Sequence, residues 1–238
     1  MTMDLRKIIA DTAYQICMFN LKLTYGRLGP EGKNNCSVER DIGHQAGLVV
    51  EEATEYRNAR SMVGLLDGAI DMLVTEVWYE VLEAAYHVNG VSIADAIVEV
   101  ENRLRTQPIQ MKCIEPLIFL ARLGVDIEYG IDMVIEDNNT KFITEVHECA
   151  KTIDHYRTKL GIECEARPVD AYQREWGVFR LPDLKMLKPL AYSKRQMEGK
   201  GMRLENAIPP HMRDWLVWPE SFLMGPTDIR IQPVRSIK

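Results

Sequence analysis

Glu51-Glu52-Ala53-Thr54-Glu55 and, a short gap later, Asp67-Gly68-Ala69-Ile70-Asp71 are acidic clusters set inside otherwise apolar helical patterns. Side chains three or four apart share one face of a helix, so Glu52 projects with Glu55 and Asp67 with Asp71. Four carboxylates brought together on two packed helices repel one another strongly unless a cation lies among them. Hard divalent ions take oxygen ligands, and magnesium binds through few carboxylates and the phosphates of a substrate. The pattern therefore predicts a magnesium site for a phosphorylated compound, with Glu52, Glu55, Asp67 and Asp71 as ligands. Glu and Asp are more often solvated surface acids, and the neighbouring residues weigh against that alternative. Ile42, Ala46, Val49, Ala53 and Tyr56 form an apolar stripe around the first cluster. Leu65, Leu66, Ala69, Ile70, Met72, Leu73, Val74 and Val77 make the second segment apolar nearly all round. Such a helix is buried on most sides, and its aspartates are poorly placed to be merely wet.

These acids must be held by a scaffold, and the bulk properties allow one. A chain of 238 residues with 46% hydrophobic content can bury a sizeable core. The net charge of −6 gives no polybasic footprint for nucleic acid or an anionic membrane. No apolar run reaches bilayer-spanning length. Met1-Thr2-Met3-Asp4-Leu5-Arg6-Lys7 lacks a signal-peptide pattern. Cys17, Cys36, Cys113, Cys149 and Cys164 are odd in number and form no CxxC pair, as expected of reduced thiols in the cytoplasm.

Periodicity and caps predict a mainly α body. A first helix covers 4–24, and a loop rich in Gly, Pro and Asn follows. Ser37 is the expected N-cap of a helix running to about residue 60, with Glu39 and Asp41 in the first turn. The next helix runs over 62–88 and stops at Asn89-Gly90. Ser92 caps a helix to about 105, Pro116 opens a short one stopped by Gly124, Asp126 caps another, and Thr144 begins a last one closed by Gly161. Beyond it, 162–167 and 176–181 read as two strands of a small hairpin. The expected organisation is a helical domain over 1–161, a β-hairpin extension over 162–195 and an irregular arm over 196–238. The arm carries Trp215 and Trp218 among its glycines and prolines.

On these residues the chain resembles the all-α nucleoside triphosphate pyrophosphohydrolases of the MazG type. Their signature is EExxE followed by ExxD. Glu51, Glu52 and Glu55 match the first half and Asp71 the second, while Gly68 stands where the usual glutamate would be. Asp67, one turn from Asp71, gives a DxxxD variant that resembles the phosphoribosyl-ATP pyrophosphohydrolase-like branch common in bacteriophages. Asp137-Asn138-Asn139-Thr140-Lys141-Phe142 is similar to that branch's Asn-x-Ser/Thr-Lys-Phe element. Lys185-Met186-Leu187-Lys188-Pro189-Leu190-Ala191-Tyr192 is similar to its Lys-x-Leu-Lys-Pro-x-x-Tyr ending.

The resemblance implies a MazG-like helical bundle that hydrolyses a (deoxy)nucleoside triphosphate between the α and β phosphates, giving the monophosphate and pyrophosphate. Mg2+, with Mn2+ as its substitute, would be held by Glu52, Glu55, Asp67 and Asp71. Glu51 is left with three roles: a second metal, the attacking water, or solvent. Lys141 is the expected phosphate contact and Asn138 a hydrogen bond beside it, while Lys188 and Tyr192, with Lys185, either close over phosphate from a neighbouring subunit or form a basic hairpin edge. Arg40 and Gln45 are candidates for base or sugar. The five histidines form no metal pair near the acids. Expected partners are the nucleotide and, because the helix over 62–88 is too apolar for the surface of one small bundle, further copies of the chain as a dimer or tetramer, with no membrane and no nucleic acid. The compartment is the cytoplasm, that of the host if the gene belongs to a phage. Two alternatives stand beside this reading: the phosphoribosyl-ATP pyrophosphohydrolase of histidine biosynthesis, and a non-catalytic nucleotide sensor or interaction protein.

Overall fold

A helix that is apolar on every side has to be wrapped by other elements, and that requirement organises the molecule. The computed structural model describes residues 5–29, 35–59, 62–87 and 92–192, of which 35–40 through their backbone alone. They form α1 (Leu5–Leu28), α2 (Asn35–Asn58), α3 (Met62–His87), α4 (Ile93–Thr106), α5 (Ile114–Arg122), α6 (Ile127–Asn139) and α7 (Val146–Leu160). Strands β1 (Cys164–Pro168), β2 (Trp176–Arg180) and β3 (Met186–Leu187) follow. The expected arm 196–238, with Trp215 and Trp218, lies outside the described residues.

The central element is α3, packed against α2, α4, α1, α6 and α5. Leu66, Ile70, Leu73, Val77, Trp78, Val81 and Leu82 are all fully buried. Burying a large apolar side chain of this kind is worth about 1.5–3 kcal/mol. The chain therefore covers α3 with its own helices. Its hydrophobicity, taken from sequence as a sign of a second subunit, is satisfied within the chain and does not call for one. No helix among the described residues is long and apolar enough to cross a membrane.

Several element ends follow their caps. Ser92 and Asp95 form a reciprocal capping box at α4. The Asp126 side chain accepts the Tyr129 N–H at α6, and Gly161 closes α7 in the left-handed conformation. Other starts differ by a residue or two from expectation. The second helix begins at Asn35, so Ser37 lies inside it, and α7 begins at Val146 after Glu145. The start of α5 at Ile114 has a cause that lies elsewhere in the chain. Glu76, buried on α3, accepts the backbone N–H groups of Lys112 and Cys113 at 2.9 Å each. A carboxylate aimed at a helix N-terminus satisfies donors that the helix itself leaves open.

The expected hairpin is present, and β3 extends it to an antiparallel sheet of order β1-β2-β3. It is not an appendage in packing terms. Phe179 of β2 is fully buried in the main core, with its ring against Gly26 of α1, where an added Cβ would come within 2.3 Å of it. A second small core of Ile143, Cys149, Cys164 and Val178 joins the sheet to α7. The boundary at residue 161 is thus a change of secondary structure within one packed body.

Candidate functional site

The acids are positioned by the α2–α3 pair, whose inward face is more polar than the sequence stripe implied. Asp41 is 2% exposed and takes a forked contact from Arg27 of α1, Nε to Oδ1 at 3.0 Å and a terminal nitrogen to Oδ2 at 2.9 Å. The Thr24 hydroxyl donates to the same carboxylate at 2.8 Å. One turn on, Gln45 donates to the Thr75 carbonyl of α3 at 2.8 Å. Gln45 therefore belongs to the core between the helices and not to a base or sugar pocket, which corrects that expectation. Ala46, placed on the apolar stripe from sequence, is exposed. The buried row is Asp41, Gln45 and Val49, continuing to half-buried Glu52 and Tyr56.

Glu52 is the focus of the site. Burial, and then the charges of Asp71, Glu55 and Glu51, push its carboxyl up to about 8, while Lys141 acts in the opposite direction. A carboxyl so displaced is one that its surroundings do not let ionise cheaply. The arrangement brings Glu51, Glu52 and Glu55 of α2, Asp71 of α3 and Lys141 into one electrostatic neighbourhood. Asp67 lies one turn before Asp71, half-buried, and is not among the charges that move Glu52 most.

Gly68, which breaks the expected ExxD pattern, has a packing reason. A Cβ at this position would stand 3.0 Å from the Tyr56 Cα and 3.2 Å from its backbone nitrogen. Here α3 lies against the backbone of α2, and any side chain at this position requires the two helices to part by a few tenths of an ångström.

Lys141 is fixed by two elements. Its N–H closes the end of α6 on the Asn138 carbonyl at 3.0 Å, and Ile143 pairs with Trp176 of β2 through two 2.8 Å hydrogen bonds. Its Nζ lies 5.7 Å from the Phe19 ring and 5.8 Å from the Tyr192 ring, within reach of cation–π attraction. The Tyr192 hydroxyl donates to Asp137 at 2.9 Å, and the Lys188 ammonium stands 5.0 Å over the same ring. Asn138 is buried beside them on α6. The Asn138–Lys141 element and the Lys188–Tyr192 ending, remote in sequence, are thus brought together.

Lys185 enters from the β2–β3 turn and pairs with Glu51. Within that turn Arg180 pairs with Asp183, and the Arg180 N–H donates to the Lys185 carbonyl at 2.9 Å. The pKa of half-buried His44 is lowered by burial and then by Arg27, against Asp41 and Asp183, with Lys185 adding least. The free thiols Cys17, Cys113, Cys149 and Cys164 are all buried, and burial pushes Cys17 up to about 12, so none of the four is an activated nucleophile. The Arg40 side chain lies outside the described residues.

No protein-family model, curated protein or solved structure matches this chain. The site must therefore speak through its own chemistry. Its donors are of the kind magnesium prefers: carboxylate oxygens from two facing helices, with lysines alongside. Among the described residues, no three acidic, histidine or cysteine side chains stand ready-made around a metal position. Glu51 is engaged by Lys185, and Glu52 and Asp71 repel each other. Sequence reasoning missed Glu76 and the Arg27–Asp41 clamp. The spacing of four from Asp41 to Gln45 and again to Val49 was the available signal, obscured because its first two members are polar.

Proposed function

We propose that the chain is a Mg2+-dependent pyrophosphohydrolase of (deoxy)nucleoside triphosphates, cleaving between the α and β phosphates. The observation that carries this reading is the placing of Glu52 against Asp71 across two packed helices, with Lys141 from a third element beside them. Carboxylates gathered in this way are stabilised by a divalent cation, and an adjacent ammonium gives a polyanion a second point of attachment. Glu52, Glu55 and Asp71 would hold the ion, with Asp67 completing the set where Gly68 supplies no carboxylate. The bound ion would neutralise phosphate oxygens and lower the pKa of a water. The protein's own part is positioning, which is most of what phosphoryl-type transfer requires. Lys141 engages the phosphates, and the Asn138–Ile143 segment holds that lysine in register through the Ile143 bridge to β2.

A second reading is favoured by Gly68. A site in which Asp67 does not take the place of the absent glutamate suits a nucleotide-binding protein that senses without cutting. Incubation of the full chain with a panel of ribo- and deoxyribonucleoside triphosphates and Mg2+ separates the two. Release of pyrophosphate with the matching monophosphate supports the enzyme. Binding without release supports the sensor.

A further inference from the structure

We infer that Lys185 is a polyphosphate-binding residue parked on Glu51, which it releases when a divalent cation and a triphosphate enter the site. The inference rests on the reading above and adds the three-stranded sheet to the site. Lys185 and Glu51 form an ion pair whose side chains are 39% and 40% exposed. An ion pair so exposed contributes little to folding, and its partners exchange readily. Glu51 neighbours Glu52, so the carboxylate that Lys185 neutralises lies at the edge of the acidic cluster.

The turn that carries Lys185 is already built. The Leu184 N–H donates to the Arg180 carbonyl at 2.8 Å, and the Arg180 N–H in turn donates to the Lys185 carbonyl at 2.9 Å. Only the flexible four-carbon stem has to move, and its ammonium offers three donors to phosphate oxygens. His44 and Arg180 are the other charged or titratable groups recorded near this pair, and the nearby acids have partners of their own. Asp183 is engaged by Arg180, and Asp41 by Arg27 and Thr24. Glu51 is therefore the resting partner of Lys185, and Lys141 and Lys185 would reach a triphosphate from two different elements.

The pairing predicts effects of opposite sign, which a purely structural ion pair would not produce. Removing Lys185 frees Glu51 for the cation but deprives the triphosphate of a contact. Mn2+ binding to the full chain, followed by electron paramagnetic resonance, should tighten about threefold or more in Lys185→Ala. Binding of the Mn2+ complex of inorganic triphosphate, followed by calorimetry, should weaken at least fivefold in the same variant. Lys185→Arg should keep both affinities close to the wild type, and Lys185→Met, which retains the apolar stem, should behave like Lys185→Ala. If Lys185→Ala and Lys185→Met weaken both ligands or change neither, the role assigned to Lys185 is wrong while the metal–nucleotide reading stands. If the wild-type chain binds neither probe, that reading and this inference fall together.

Discussion

Replacing Glu52 with Gln keeps the shape of the side chain and removes its charge. The Glu52 carboxyl titrates near 8 against an ordinary 4.5. The folded chain therefore holds a proton that the unfolded chain gives up over this interval. Stability associated with Glu52 is intact below pH 4.5 and is lost progressively as pH rises towards 8. At pH 7 the unfolded chain gains from ionisation over 2.5 pH units (7 − 4.5) and the folded chain gains almost nothing. At about 1.36 kcal/mol per unit, this sets an upper limit of about 3.4 kcal/mol. Glu52 is only half-buried, so solvent screening brings the expected stabilisation of Glu52→Gln down to about 1–3 kcal/mol at pH 7. Urea denaturation in EDTA between pH 4.5 and 9 measures it. The variant should match the wild type at the acid end and exceed it increasingly up to about pH 8. Added Mg2+ should reverse the order, because only the wild type gains binding energy. A variant less stable than the wild type at pH 8 in EDTA would refute the claim that the acids repel one another around Glu52.

Gly68→Glu, which writes in the missing glutamate, should lower stability by about 1–3 kcal/mol through overpacking against Tyr56, read from the urea midpoint. An unchanged midpoint would show that the helices have room there. Lys141→Ala should raise KM for the preferred triphosphate at least tenfold with similar magnesium dependence, since a charged contact is worth about 1.5–3 kcal/mol. Unchanged kinetics would return Lys141 to solvent. Asp67→Asn should lose nearly as much activity as Asp71→Asn in the same assay, and full activity would show that Asp67 does not replace the absent glutamate. Glu76→Ala should lower the melting temperature by the equivalent of about 1–3 kcal/mol, because the buried Cys113 N–H and the part-buried Lys112 N–H at the start of α5 lose their acceptor. A shift within experimental error would mean that α5 does not depend on it.

The helical body was legible where local signals decide the outcome. The capping box at Ser92, the cap at Asp126 and Gly161 at the end of α7 each act within a few residues. The burial of α3 was legible too, because its apolar residues leave no polar face. The agent of that burial was not legible: periodicity says that a helix is covered and not by which chain. The polar face of α2 was hidden because Asp41 and Gln45 are buried through partners on α1 and α3. The strand β3 is two residues long and exists through pairing with Val178 and Phe179, which no local pattern announces. The acids were found from spacing alone, whereas the meaning of Gly68 required the backbone of Tyr56 in view. Lys185 has a partner 134 residues away, beyond the range of any motif.

The bond at which a triphosphate is cut separates this chemistry from every alternative. Incubating the full chain with Mg2+ and a nucleoside triphosphate panel, and separating the products by anion exchange, measures it directly. The account predicts equal amounts of nucleoside monophosphate and pyrophosphate, abolished by EDTA and by Asp71→Asn. Formation of diphosphate and inorganic phosphate, or product formation that persists in Asp71→Asn, would contradict it.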